Sequence, residues 1–214
     1  WFTLSTQNTY DTATFTNLPA NNYRLTVTDT LPGGCTALAF INISQPPNLL
    51  PAVTIASPSL CFGDSIAEID VNITGGTPPV NVTVNGGPNI LIPYPSNAIT
   101  IDSLPAGTYQ LRITDSNGCE KNRIRTIISP PALVPNSIIQ SNYNGYEISC
   151  FGANDGAIRA QVNSGGTPGF MFAINQVNNP LGVYTASPDF QNLSSGNYAI
   201  QYIDTNGCTT TDTL

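Results

Sequence analysis

Residues 104–119 read LPAGTYQLRITDSNGC, and the chain says nearly the same thing twice more, as LPANNYRLTVTDTLPGGC at 18–35 and LSSGNYAIQYIDTNGC at 193–208. In the middle copy Tyr109, Leu111 and Ile113 alternate with polar neighbours, the period of two that marks a half-buried strand. Asp115-Ser116-Asn117-Gly118 then turns the chain, the aspartate capping the turn through its side chain and the glycine taking the left-handed position. Tyr23, Tyr109 and Tyr198 lie 86 and 89 residues apart, the period of a small β-domain. The chain therefore reads as a tandem array.

Working outward from this refrain gives a half module at residues 1–47, a second module at 48–131 and a third at 132–214 that ends within its last strand. The junctions also resemble one another, SQPPNLLP at 44–51 and SPPALVP at 129–135, and paired prolines favour an extended, semi-rigid spacer. Inside the second module Ala67, Ile69, Val71 and Ile73 alternate with Glu68, Asp70 and Asn72, and Val80, Val82 and Val84 alternate with Asn81 and Thr83. Gly75-Gly76-Thr77-Pro78-Pro79 turns between these runs, and Gly165-Gly166-Thr167-Pro168-Gly169 repeats the turn. No segment has helical periodicity. The residues ahead of Tyr109 resemble the tyrosine corner that leads into strand F of immunoglobulin-like sandwiches. The expected fold is all-β: tandem immunoglobulin-like antiparallel sandwiches of about seven strands each.

Charged residues make up 9% of the chain, so neutral hydroxyls and amides must wet its surface, as suits an extracellular β-protein. A net charge of −7 with six basic residues argues against nucleic acid, whose binding needs Lys and Arg to neutralise phosphates. No apolar run approaches the 18 or so residues of a membrane span, and a start at Trp1-Phe2-Thr3 reads as a piece cut from a longer chain.

CFGDSIAEIDVNITGGTPP at 61–79, the LPAGTY corner and TDSNGC together resemble the SprB-repeat family of repetitive surface adhesins in gliding Bacteroidota. The third module matches through CFGANDGAIRAQVNSGGTP and IDTNGC; the first matches through its second half and departs by inserting Leu-Pro-Gly-Gly before Cys35. The resemblance implies a filament exported by type IX secretion to the outside of the outer membrane, where it meets external surfaces or polysaccharide during gliding. Its nearest partners would be neighbouring modules of the same chain and the gliding machinery. It implies no enzyme. The alternative is that these are carbohydrate-binding or spacer modules of a large secreted enzyme.

Five cysteines in an exported chain suggest disulfides. Cys61 to Cys119 and Cys150 to Cys208 are both 58 residues, so one bridge within each module is one reading, with Cys35 left over. Such a loop would contribute roughly 4 kcal/mol in the chain-entropy model. In an immunoglobulin-like topology, however, Cys61 lies between the first two strands at one pole and Cys119 follows the turn after strand F at the other. A six-residue strand spans about 20 Å, whereas bridged cysteines need Cα atoms within about 7 Å. In an end-to-end array Cys61 instead approaches Cys208, which would leave Cys35, Cys119 and Cys150 to other modules. The inter-module bridge is the first choice and the two intra-module bridges the alternative.

The chain contains no histidine, which removes Ser-His and Cys-His triads and the common catalytic zinc sites. The recurring acids Asp29, Asp115 and Asp204 occupy the refrain's turn, where capping explains them. Calcium is the one cofactor these acids invite, with Asp64, Asp115, Asp155 and Asp204 as candidate ligands, although no spacing resembles an EF-hand loop. The two Gly-Gly pairs lack the context of a phosphate-binding loop. Tyr143, Tyr146, Phe170 and Phe172 supply either core packing or an aromatic sugar platform, and core packing is the expectation. Asp followed by Ser or Thr and an apolar residue resembles the Bacteroidota O-glycosylation signal, which marks Thr12, Thr30, Ser65, Ser103 and Thr213.

Overall fold

The computed structural model describes residues 2–5, 14–28, 32–176 and 182–214, the first four as backbone. Among them there are sixteen strands and no helix. The second module holds β4 (Leu50–Ser57), β5 (Ala67–Thr74), β6 (Val80–Val84), β7 (Ile90–Ile92), β8 (Ala98–Leu104), β9 (Gly107–Thr114) and β10 (Glu120–Ile127). Sheet β4-β5-β8 packs against sheet β10-β9-β6-β7, and every pairing in both is antiparallel. The period of two predicts which residues meet between the sheets. Ala67, Ile69, Val71 and Ile73 from one sheet and Val80, Val82, Leu111 and Ile113 from the other form a single buried cluster. Across the open edge Arg123 Nε donates to Pro51 O (3.2 Å) and Arg125 Nε to Val53 O (2.7 Å), so β10 is tied to β4 of the opposite sheet.

The third module repeats this plan with β11 (Val134–Ile139), β12 (Gly156–Ser164), β13 (Met171–Gln176), β14 (Asp189–Leu193), β15 (Tyr198–Ile203) and β16 (Thr209–Thr213). Its sheets are β11-β12-β14 and β13-β15-β16. An isolated bridge from Phe172 to Thr185 stands where β7 stands in the second module. Its core gathers Ile158, Ala160, Phe172, Tyr198, Ile200 and Tyr202, with Phe172 and Tyr202 packed edge to face at 5.3 Å. Its open edge is also bridged, Ser137 N donating to Asp212 Oδ2 (2.8 Å).

The first segment differs. β2 (Asn21–Thr28) and β3 (Thr36–Ile43) form the expected antiparallel hairpin, but β1 (Phe2–Ser5) lies parallel to β2, so this sheet is mixed. No second sheet covers the hairpin among the described residues, and Leu38, Phe40 and Ile41 of β3 are exposed.

The tyrosine corner occurs in all three copies. Tyr23, Tyr109 and Tyr198 each donate their hydroxyl to the carbonyl four residues back, on Pro19, Pro105 and Ser194, at 2.7, 2.7 and 3.0 Å. Just ahead of each corner a residue takes the left-handed conformation: Asn17 (φ 58°), Ser103 (φ 57°) and Asn192 (φ 58°). Asn accepts this geometry more readily than Ser, since its short amide side chain bonds to the local backbone.

Candidate functional site

The poles of the second and third sandwiches meet at a joint made from two loops and a linker. The upper loop, between β4 and β5, is wound around one carboxylate. Asp64 accepts hydrogen bonds from Ser59 Oγ (2.5 Å), Leu60 N (2.8 Å) and Cys61 N (2.8 Å). The Cys61 N–H, aided by the Ser59 hydroxyl, holds this carboxyl below its ordinary value of 3.8. The result is a tight loop that presents Cys61 and Phe62 at its tip.

The lower turn joins β15 to β16 and is wound around Asp204, 5% exposed. Its Oδ1 accepts from Asn206 N and Cys208 N (both 2.9 Å), and its Oδ2 reaches across to Thr167 N (2.8 Å) in the Gly-Gly-Thr-Pro loop. Asp115 repeats the pattern with Asn117 N, Cys119 N and Thr77 N at 3.0, 2.9 and 3.0 Å. Burial pushes the Asp115 carboxyl up, but the N–H donors of Cys119, Thr77 and Asn117 outweigh it and leave the group below 3.8. In these two copies the aspartate of the refrain therefore caps its own turn and pins it to a second loop.

At the joint Cys61 and Cys208 are bonded, with S–S 2.08 Å and Cα atoms 5.5 Å apart. Asn206 Nδ2 donates to Leu60 O (3.2 Å) beside the bond, and Ser129 Oγ of the linker donates to Cys61 O (3.2 Å). Cys35, Cys119 and Cys150 are exposed thiols, so neither intra-module pair forms.

The linker is held as well. Gly166 N donates to Pro131 O (3.2 Å), and a Cβ on Gly165 would stand 1.8 Å from Ala132 O. The same clamp precedes the second module: Gly76 N donates to Pro47 O (2.9 Å), and a Cβ on Gly75 would stand 2.0 Å from Asn48 O. The glycine pairs exist because linker backbone lies across them. The local sequence predicts only turns at these pairs; the signal for the clamp is that a Pro-Pro linker and a Gly-Gly pair recur together in both modules.

The four candidate calcium ligands do not assemble. Asp64, Asp115 and Asp204 each spend their oxygens on three donors, and the hydroxyl and N–H of Ser149 hold Asp155 below 3.8. Among the described residues no three His, Cys, Asp or Glu side chains gather as a metal site. Ser65, Ser103 and Thr213 are exposed, while Thr12, Thr30 and Asp29 lie outside the described residues. The four aromatics divide: Phe172 is buried and Phe170 packs on the same core, whereas Tyr143 and Tyr146 pair with each other in an exposed hairpin. Among the described residues no helix is long and apolar enough to cross a membrane.

The family model for the SprB repeat matches two regions of the chain, residues 53–89 and 146–179. Each match contains one Cys-Phe-Gly loop and one Gly-Gly-Thr-Pro loop. No curated protein matches the chain. Among solved structures, the C-terminal 282-residue fragment of intimin in complex with the translocated intimin receptor's intimin-binding domain aligns with TM-score 0.34 and 13% identity over 80% of this chain. This chain spans 64% of that fragment. A two-domain fibronectin type-III segment from chicken tenascin aligns at 0.31 and 9%, over 79% of this chain and 99% of that one. Sidekick-1 immunoglobulin domains 1–5 align at 0.30 and 15%, over 86% and 42%. At such identities and TM-scores none bears on what this chain binds. The two SprB-repeat matches suggest an adhesin-like surface repeat segment, and the disulfide is consistent with an extracellular setting.

Proposed function

We propose that this SprB-repeat chain is a load-bearing segment of a large secreted adhesin filament, exported by type IX secretion and displayed outside the outer membrane for surface attachment and gliding. The observation that carries the reading is where the disulfide sits. Cys61 and Cys208 are 147 residues apart, so their bond encloses nearly all of the second and third modules. Tension applied at the two ends of the chain crosses from Cys61 to Cys208 through the S–S bond, and the residues between them are shielded from it. The clamped Pro-Pro linkers complement this by restricting bending at the joints.

Pulling single molecules by their ends tests the reading. Oxidised protein should stretch only outside the loop. Reductant should release the enclosed residues, adding roughly 500 Å of contour length at about 3.3–3.6 Å per residue. Equal extension with and without reductant would defeat the load-bearing reading. Tight binding of the purified chain to polysaccharide would move the function to the carbohydrate-binding alternative.

A further inference from the structure

The two Cys-Phe-Gly loops are built alike and end differently. Each closes on the same backbone hydrogen bond, Asp64 N to Cys61 O (3.3 Å) in one and Ala153 N to Cys150 O (3.0 Å) in the other. Each is capped by an aspartate, Asp64 on the N–H groups of Leu60 and Cys61, and Asp155 on that of Ser149. Yet Cys61 is half-buried beneath the following module, whereas Cys150 is exposed and Phe151 is 110% exposed against 68% for Phe62. The turns match as closely, since Asp115 and Asp204 organise Asp-Xaa-Asn-Gly-Cys with the same three N–H donors.

The occupied joint therefore states what covers a loop of this type: the Asp-Xaa-Asn-Gly-Cys turn of the module that follows it. We infer that the Cys150-Phe151-Gly152 tip is a docking surface for that turn on a further module of the same kind, sealed by a disulfide from Cys150 to the turn's cysteine. Sealing joins two thiols into one disulfide; the two electrons and two protons pass to oxidised glutathione or another small disulfide, which leaves as two thiols. The inference rests on the tandem-stalk reading and adds a direction to it, loop of one module to turn of the next. It also has a mechanical consequence. Cys61 and Cys150 are 89 residues apart, less than the 147-residue separation that one bond spans, so successive loops overlap and each joint is bridged before the previous loop ends.

The test extends the full chain from Leu214 with a second copy of residues 126–214, oxidises it in a glutathione buffer and maps its disulfides without reduction. The expected product keeps Cys61–Cys208 and gains a bond from Cys150 to the appended copy's Cys208. Cys150→Ser should then leave that appended cysteine as a free thiol. If the appended Cys208 stays free in the unsubstituted chain, or pairs within its own module, while Cys61–Cys208 persists, the inference fails and the stalk reading survives. Scrambling of Cys61–Cys208 as well would remove both.

Discussion

Asp204 shows how much one side chain of the refrain does. Asp204→Ala would strip the acceptor from three N–H groups, on Thr167, Asn206 and Cys208, and loosen the turn that carries the disulfide. Leaving such donors unpaired costs roughly 2–4 kcal/mol, so a thermal melt should show the coupled transition of the two bridged sandwiches about 5–15 °C lower. An unchanged midpoint would mean that water replaces the carboxylate without loss. The carboxyls of Asp64, Asp115 and Asp155 all lie below 3.8 in the folded chain. Groups lowered by folding stabilise it fully above their unfolded value, and that contribution disappears as pH falls through the folded values. Melting temperature should therefore be insensitive to pH from neutrality to about 5 and decline below about 4. A midpoint that holds to pH 2 would contradict the hydrogen bonding assigned to these three groups.

At the scale of elements, the refrain was legible because everything in it is local. The strand period spans two residues, the tyrosine corner four and the aspartate turn four, so neighbouring side chains suffice to specify them. The glycine pairs were only half legible. Their left-handed backbone could be anticipated from Gly-Gly-Thr-Pro, but the linker that lies against them comes from residues 27 and 33 positions earlier in the two modules. Two glycines separate these causes. Gly118 takes φ +80° with open space where a Cβ would go, so Gly118→Ala should cost about 1 kcal/mol of backbone strain. Gly165 takes φ +71° and adds a 1.8 Å clash with Ala132 O, so Gly165→Ala should cost roughly 2–3 kcal/mol more and loosen the joint. Chemical denaturation of the two variants checks this, and equal losses would show that the linker clamp contributes nothing. Neither β1's parallel pairing nor the exposure of β3 on both faces could be read from local pattern, because both depend on which strands lie beside the hairpin.

For the whole molecule the disulfide couples two sandwiches that each possess their own core. In the chain-entropy model a loop of 147 residues contributes about 5 kcal/mol. Cys61→Ser should remove much of this and allow the sandwiches to melt independently, giving two calorimetric transitions where the bridged chain gives one coupled transition. A single transition at an unchanged temperature in the variant would show that the joint holds through its noncovalent contacts.

By itself the sequence determined the all-β repeat plan, the identity of the buried strand residues, the tyrosine corners and the aspartate turns, since each follows from contacts within a few residues. Only the tertiary structure decided how the regularly spaced cysteines divide into one bond and three thiols, and which linker atoms the glycine pairs accommodate. Equal spacing suits a bridge within each module, whereas the poles of the expected topology favour Cys61 with Cys208, so the sequence leaves both open with the second preferred. The choice depends on which poles meet, and hydrogen bonds such as Asn206 to Leu60, 146 residues apart, record a meeting that no local pattern encodes.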